Sequence, residues 1–264
     1  MVETTRPFHL AGTGPVGVLV LSGSSGRVER DRCDLLAAAG ATAASYRWFG
    51  ETVDLVPLES FDEPLARLHE RCERLVVLGT SRGAEAALLL GARHPEIDLV
   101  VGVSPSDVVW AALSTDRPQR SSFTSGGEPL PFVPYDDDWT PATDPPEHVG
   151  MYRSALDRFA DRVPAARIPV ERIAGDVVLT AGGDDRLWPS TELAVRVEAR
   201  RAAAGLPTTV LTHPAAGHRV VLPGEPRPPS SHLVHGGTPA ADAELGAALW
   251  ARLLAEVTAG GPRA

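Results

Sequence analysis

Residues 79–83 read Gly-Thr-Ser-Arg-Gly and are the stretch with the most evident chemistry. They follow a short apolar run, residues 75–78, that suits a strand buried on both faces, and they precede a run of strong helix formers. A serine in such a strand–turn–helix is held at a strained backbone angle with its hydroxyl exposed above the sheet. The flanking glycines are needed because a Cβ at either place would collide with a neighbouring element. Ser81 is therefore the candidate nucleophile, and the alternative is a serine that caps a helix.

A nucleophilic serine needs a base, and His218 is the candidate. It lies in a Gly-His pair shortly after a strand predicted over residues 208–212. Its imidazole can take the Ser81 proton and return it to a leaving group. His213, directly after that strand, is the alternative base. The other histidines have no spacing that resembles a zinc site, so no metal is predicted.

The acid that orients the base is sought at the end of another predicted strand, residues 176–181. Asp184 and Asp185 adjoin there. In turns of the form Gly-x-x-Asp the acid usually comes four residues before a proline, here Pro189, which favours Asp185. Its carboxylate would fix the imidazole tautomer and stabilise the imidazolium.

The elements that position these residues alternate between strand and helix, which predicts a doubly wound, mostly parallel α/β sheet. In such sheets the chemistry occurs at the carboxyl ends of the strands, where Ser81, Asp185 and His218 all fall. The predicted strands cover residues 15–21, 42–46, 75–78, 97–104, 176–181 and 208–212, with an edge strand around 8–10. The predicted helices lie around 35–39, 56–71, 84–90, 189–204 and 240–257.

A Gly/Ser-rich turn, residues 22–26, follows the first buried strand. Its spacing is not that of a dinucleotide-binding turn, and no acidic residue follows the next strand. Beside a nucleophile, one N–H of such a turn completes an oxyanion hole with the N–H that follows the serine. The predicted donors are Arg82 and either Ser24 or Ser25.

Regular periodicity stops between residues 105 and 172, a stretch rich in Pro, Ser, Asp and aromatic residues. A segment of this length inside one domain is usually a lid or a binding loop. Its aromatic residues disfavour disorder and predict an apolar pocket over Ser81. The predicted substrate-binding residues are Trp110, Phe123, Phe132, Tyr135 and Trp139.

Composition narrows the class of protein. A chain of 264 residues fits a single domain, 1–264, with segment 105–172 inserted as a lid. The net charge of −9 argues against nucleic-acid binding. All 25 basic residues are arginine, which excludes a Walker A lysine and a Schiff-base lysine, and the absence of asparagine excludes a Cys-His-Asn site. The absence of long apolar runs and of a signal peptide leads us to expect a cytoplasmic protein that does not enter a membrane. The use of arginine in place of lysine and the lack of asparagine suggest a bacterial origin.

Five motifs in the sequence resemble those of a known family. They are Gly-Thr-Ser-Arg-Gly-Ala-Glu at 79–85, Ser-Pro-Ser at 104–106, Gly-Gly-Glu-Pro-Leu-Pro at 126–131, Gly-Gly-Asp-Asp-Arg-Leu-Trp-Pro-Ser at 182–190 and Gly-Gly-Thr-Pro at 236–239. This family is the catalytic domain shared by acyl-CoA thioesterases and bile acid-CoA:amino acid N-acyltransferases. The resemblance extends from about Val16 to Ala255. It implies an α/β-hydrolase fold, the triad Ser81, Asp185 and His218, and no cofactor.

Two features depart from that family. Its animal members carry an N-terminal β-sandwich domain, for which residues 1–14 leave no room, so long-chain acyl-CoA specificity is in doubt. The acyltransferase branch has cysteine as nucleophile, so Ser81 favours water as acceptor. We therefore expect a serine hydrolase of a small-molecule acyl thioester or ester. The alternatives are acyl transfer or cyclisation on a pathway-specific intermediate, a carboxylesterase or peptidase, and an inactive fold used for binding; a homodimer is compatible with the sequence.

Overall fold

The structure, a computed structural model, describes residues 8–114, 117–226 and 232–258. Its strands in chain order are β1 (Phe8–Ala11), β2 (Val16–Leu21), β3 (Thr42–Tyr46), β4 (Val56–Pro57), β5 (Arg74–Thr80), β6 (Leu99–Val103), β7 (Phe123–Ser125), β8 (Glu128–Pro129), β9 (Asp176–Gly182) and β10 (Thr209–His213). Its helices are α1 (Arg30–Ala38), α2 (Asp62–His69), α3 (Arg82–Arg93), α4 (Val149–Arg158), α5 (Val163–Ala166), α6 (Ser190–Ala203) and α7 (Pro239–Thr258), with short 3-10 helices at Leu58–Phe61 and Val170–Arg172.

Seven strands form the central sheet in the order β1-β3-β2-β5-β6-β9-β10. All neighbours are parallel except the edge strand β1, which is antiparallel to β3. Strands β2, β3 and β6 are buried along their whole length, because helices cover both faces of the sheet. The predicted α/β fold is confirmed. Its order puts β5, which ends beside Ser81, at the centre of the sheet.

Helices α1 and α7 cover one face of the sheet, and α2, α3 and α6 cover the other. Each face has its own apolar cluster, built around Val18, Leu36 and Leu249 on the first and around Val77, Leu88 and Phe61 on the second. Both clusters include side chains of β5 and β6 and pack against these strands. The carboxyl ends of these strands are therefore rigidly supported. Within the described residues, no helix is long and apolar enough to cross a membrane.

Two predictions about local structure were wrong. Residues 56–57 were predicted to open a helix, but they form β4, which pairs with β7 in a small three-stranded sheet. Segment 105–172, of which 115–116 lie outside the described residues, contains regular elements, including α4 and α5. In α4 the buried side chains are Tyr152, Ala155 and Leu156, a helical spacing that the surrounding prolines obscured.

Segment 105–172 packs around a third apolar cluster, distinct from those on the two faces of the sheet. It joins Val108, Trp110 and Tyr152 of the segment to Trp188, which lies in the turn after β9. The segment is thus packed against the edge of the sheet where the predicted catalytic residues lie.

Candidate active site

Ser81 lies between β5 and α3 with φ 57° and ψ −117°, a conformation that L-residues rarely adopt. Its N–H donates to the carbonyl of Val103 at 2.8 Å, which fixes the turn to the neighbouring strand. A Cβ on Gly79 would lie 1.9 Å from the oxygen of Gly83, and one on Gly83 would lie 2.5 Å from the oxygens of Leu21 and Ser22. Both glycines are therefore required for this turn. The Ser81 side chain remains partly exposed.

Asp185 and His218 meet beside this turn. The Nδ1–H of His218 donates to Asp185 Oδ2 at 2.8 Å, and both side chains are almost fully buried. The other carboxylate oxygen of Asp185 accepts the backbone N–H groups of Leu187 at 2.9 Å and Trp188 at 3.2 Å. These bonds orient the carboxylate, which in turn fixes the imidazole tautomer, so that Nε2 carries the lone pair.

The rival acid and the rival base have other partners. Asp184 accepts from Arg186 Nε at 2.9 Å and from the N–H of Gly237 at 2.9 Å. Both bonds lower the pKa of Asp184, and the bond from Arg186 contributes more than the bond from Gly237. His213 lies 3.1 Å from Glu244 on α7. The pair that the structure brings together is Asp185 with His218.

His218 is positioned by the neighbouring strands as well as by Asp185. Ser104, directly after β6 and itself at φ 50°, donates its hydroxyl to the His218 carbonyl at 3.0 Å. The Trp188 indole donates to the Ser104 carbonyl at 3.1 Å, and its ring lies edge-on to the His218 ring at 5.7 Å. Within the described residues, Ser81 Oγ is not hydrogen-bonded to His218. Such bonds are often long before a substrate binds.

One predicted oxyanion donor, Arg82, directly follows Ser81, and the turn that carries the other candidates contacts Ser81 through Gly23. Arg82 is the first residue of α3, where N–H groups have no intrahelical acceptor and the helix dipole favours negative charge. On the other side, a Cβ on Gly23 would lie 3.2 Å from the Ser81 Cβ and 3.8 Å from its Oγ. The exposed residues Ser24 and Ser25 follow Gly23 in the turn.

His235 is a second imidazole at this site, which sequence reasoning missed. Its ring centre lies 6.0 Å from that of His218, and its carbonyl accepts the His218 N–H at 2.9 Å. Burial, followed by the charges of Arg219 and His218, lowers the pKa of His235 to about 4. Its Nδ1–H donates to the carbonyl of Leu233 at 2.8 Å. His235 is therefore neutral near pH 7, and no spacing in the sequence signalled its position.

The five predicted substrate-binding aromatics fall into three groups. Trp110 and Phe123 are fully buried in apolar clusters and offer no surface to a substrate, so the expectation that they line a pocket is corrected to a packing role. Tyr135 is stacked on Trp110 at 6.4 Å. Phe132 and Trp139 are partly exposed, and the Trp139 ring lies 6.2 Å from His148 at the start of α4.

Two cavities, of about 280 and 510 Å³, lie along α3 and beside α6. Neither is lined by Ser81, Asp185 or His218. Within the described part of the chain, no group of three or more His, Cys, Asp or Glu side chains could hold a metal ion.

The fold is that of the α/β-hydrolases. A protein of Klebsiella pneumoniae subsp. pneumoniae MGH 78578, assigned as a dienelactone hydrolase, aligns with a TM-score of 0.56 and 15% identity over 96% of this chain and 92% of its own. A puromycin-hydrolyzing peptidase of Mycobacterium tuberculosis aligns with a TM-score of 0.58 and 15% identity over 96% of this chain and 36% of its own. At these identities the likeness establishes the fold.

Residues 56–256 match the family described as BAAT / Acyl-CoA thioester hydrolase C terminal, and the chain belongs to this family. It is also 29% identical over 142 residues to the thermostable monoacylglycerol lipase of Bacillus sp. (strain H-257), a match that covers 50% of this chain and 53% of the lipase. The chain thus spans about half the length of that relative. The family description names acyl-CoA thioester hydrolysis, and the relative is named as a lipase.

Proposed function

We propose that this chain is a serine hydrolase that cleaves an acyl thioester, with Ser81 as nucleophile, His218 as base and Asp185 as the orienting acid. The observation that carries the proposal is the buried 2.8 Å hydrogen bond between His218 and Asp185, at the sheet edge where Ser81 is held at φ 57°. A histidine held in one tautomer beside a strained, partly exposed serine fits acyl transfer better than any other chemistry that this edge offers.

In the proposed reaction, Ser81 Oγ attacks the acyl carbonyl carbon while His218 Nε2 takes the hydroxyl proton. The tetrahedral intermediate collapses, the bond from carbon to sulfur breaks, and His218 gives its proton to the departing thiolate. Water then attacks the acyl-enzyme with His218 again as base, which releases a carboxylic acid and restores Ser81. The Asp185 carboxylate stays ionised and stabilises the imidazolium in both halves.

The negative charge that develops on the carbonyl oxygen needs donors aimed at it. We assign the N–H of Arg82, at the start of α3, and one N–H of Ser24 or Ser25, in the turn that touches Ser81 through Gly23. A donor of this kind contributes roughly 3 kcal/mol to lowering the barrier. Segment 105–172 would act as the lid over the acyl group. Its partly exposed Trp139 lies against His148 at the start of α4. Helix α4 is joined to the turn that holds Asp185, since Val149 donates its N–H to the Arg186 carbonyl at 3.1 Å.

Membership of the thioester hydrolase family supports a thioester substrate. A second candidate is hydrolysis of a carboxylic ester, which the 29% identity to a monoacylglycerol lipase favours. Both candidates use the same residues and differ in the leaving group.

The nucleophile is tested with a fluorophosphonate probe and peptide mass spectrometry. The wild type should be labelled on Ser81, and Ser81→Ala should not be labelled. Ser60→Ala, at a surface hydroxyl that donates to the Pro57 carbonyl, is the matched control and should be labelled like the wild type. A wild type that resists the probe would contradict the serine mechanism.

The leaving group is tested with a matched pair, the octanoyl thioester of N-acetylcysteamine and the octanoyl ester of N-acetylethanolamine. A kcat/KM higher by about tenfold or more for the thioester supports the proposal. The reverse order favours the ester candidate. Mass analysis with added glycine separates hydrolysis from transfer to an amine.

A further inference from the structure

Arg82 and Glu85 form a buried ion pair in the first turn of α3, directly after the nucleophile. Arg82 Nη1 lies 2.7 Å from Glu85 Oε2, and the side chains are 1% and 0% exposed. Burying two charges costs several kcal/mol for each ion, and well-packed apolar residues would serve stability as well or better. This pair therefore calls for an explanation other than stability.

The other side-chain hydrogen bonds of the pair all go to segment 105–172. Glu85 Oε1 accepts the N–H of Trp110 at 3.0 Å, and Arg82 Nη2 donates to the carbonyl of Ala111 at 2.9 Å. Arg82 Nη2 also donates to the phenol oxygen of Tyr135, and Nη1 donates to Ser122 Oγ at 3.4 Å. Three separate stretches of the segment are thereby fixed to the helix that begins at the nucleophile.

The pair also contacts the residue that supports the acid and the base. The Arg82 guanidinium lies 6.0 Å from the centre of the Trp188 ring. Trp188 donates its N–H to Asp185 and places its ring against His218. Burial alone lowers the pKa of Arg82, but Tyr135 and Glu85 outweigh it and raise that pKa, so the guanidinium stays charged.

We infer that Arg82 and Glu85 are positioning residues that hold their partners in one arrangement around the nucleophile. These partners are Trp110, Ala111, Ser122, Tyr135 and Trp188. The side chains of Arg82 and Glu85 touch no reacting atom. They fix the position of the start of α3 relative to segment 105–172. The N–H of Arg82, the proposed oxyanion donor, is thereby fixed as well. This inference rests on the proposed function, because the geometry it protects is that of the Ser81 site.

The chain provides a matched control at the other end of β5. Arg74, the first residue of that strand, pairs with Glu256 of α7 at 2.8 Å, and their side chains are 7% and 8% exposed. Glu256 also binds Arg252 at 2.6 Å. This pair is buried like the first but lies at the opposite edge of the sheet from Ser81.

The experiment compares Arg82→Met/Glu85→Leu with Arg74→Met/Glu256→Leu. Urea unfolding, kcat and KM for a series of 4-nitrophenyl esters, and the rate of fluorophosphonate labelling are measured for both. We expect the Arg82 variant to remain folded and to lose about 100-fold in kcat with a small change in KM, because a displacement of about 1 Å at a reacting centre costs this much. Its labelling should slow in parallel, and the control pair should keep the wild-type kcat.

A folded Arg82→Met/Glu85→Leu enzyme with wild-type kcat, or an equal loss of kcat in the control pair, would overturn the inference. If the first variant does not fold, Tyr135→Phe removes only one hydrogen-bonding group, and the inference then requires a lower kcat at unchanged urea midpoint. Arg82→Lys, which keeps the charge but not the forked geometry, should recover part of the loss. Failure of the proposed function would appear separately, as a wild type that neither hydrolyses the esters nor reacts with the probe.

Discussion

Strand β5 begins and ends in different surroundings. At its amino end, Arg74 is paired with Glu256, and its backbone is part of a regular parallel ladder. At its carboxyl end, the chain turns through Ser81 at φ 57°, and Ser104, directly after the next strand β6, has φ 50°. Each such residue costs about 1–3 kcal/mol, so the carboxyl edge holds backbone strain that the rest of the fold must offset.

The buried polar groups differ in the same way. Away from the site, Arg201 donates to the carbonyls of Val170, Ile173 and Gly175, and so closes off main-chain groups that would otherwise be unpaired. At the carboxyl edge, His218, Asp185 and Arg82 are held in place by several partners each and surround a partly exposed serine. The difference indicates that the buried polar groups around Arg201 stabilise the fold, whereas those at the carboxyl edge position the side chains around Ser81.

The largest difference between the two ends of β5 is expected at the nucleophile and the base. Ser81→Ala and His218→Ala should each reduce turnover by roughly 10⁴-fold or more and leave the fold intact, because these residues act as a unit. Arg74→Met should instead lower the urea midpoint and leave kcat unchanged. The measurements are ester or thioester turnover, circular dichroism and urea unfolding. Near-normal turnover by Ser81→Ala would end the assignment of the site.

The two adjacent acids at the carboxyl edge should differ in their effect on turnover. Asp185→Asn should lower turnover by roughly 10⁴-fold, as loss of the orienting carboxylate does in serine proteases. Asp184→Asn should have a far smaller effect, since Asp184 binds Arg186 and Gly237 and not His218. Steady-state kinetics of the two purified variants check the order. The reverse order would mean that the hydrogen bond to His218 is not the one that matters.

The aromatic residues of segment 105–172 should separate into two classes. Truncation of the fully buried Trp110 or Phe123 to alanine should cost about 3–5 kcal/mol of stability with no change in chain-length preference. Trp139→Ala should change the preference between short and long acyl chains by about 1–3 kcal/mol with little loss of stability. Urea unfolding and an acyl-chain series distinguish the classes. An unchanged chain-length preference in Trp139→Ala would remove the lid from substrate selection.

The smallest effect concerns pH. His235 has its pKa lowered from 6.5 to about 4, chiefly by burial, so the unfolded chain binds more protons than the folded one between these values. His235 therefore makes the folded state less stable as pH falls from about 6.5 towards 4. His235→Gln should flatten part of this decline in urea midpoints measured at pH 7, 5.5 and 4. Parallel curves for the variant and the wild type would contradict it.

Much of the central sheet could be predicted from the sequence because its signals are local. Apolar runs of strand length, helix formers between them and the glycines around Ser81 place β2, β5, β6 and β9 within one or two residues of their observed bounds. The small sheet could not be predicted, because Val56–Pro57 becomes a strand only by pairing with β7, more than sixty residues later in the chain. Helix α4 has its buried residues Tyr152, Ala155 and Leu156 at helical spacing, but the surrounding prolines obscure this signal.

Local signals in the sequence are enough to predict the α/β class, the sharp turn at Ser81 and the strand ends at which Asp185 and His218 fall, because backbone propensity and glycine geometry act over a few residues. The spacing to Pro189 already favoured Asp185 over Asp184, and the tertiary structure adds the hydrogen bond from His218 to Asp185. The burial of Trp110 and Phe123 and the contacts of Arg82 and Glu85 with segment 105–172 had no signal in the sequence. They depend on what distant parts of the chain place around each side chain, and composition carries no record of those contacts.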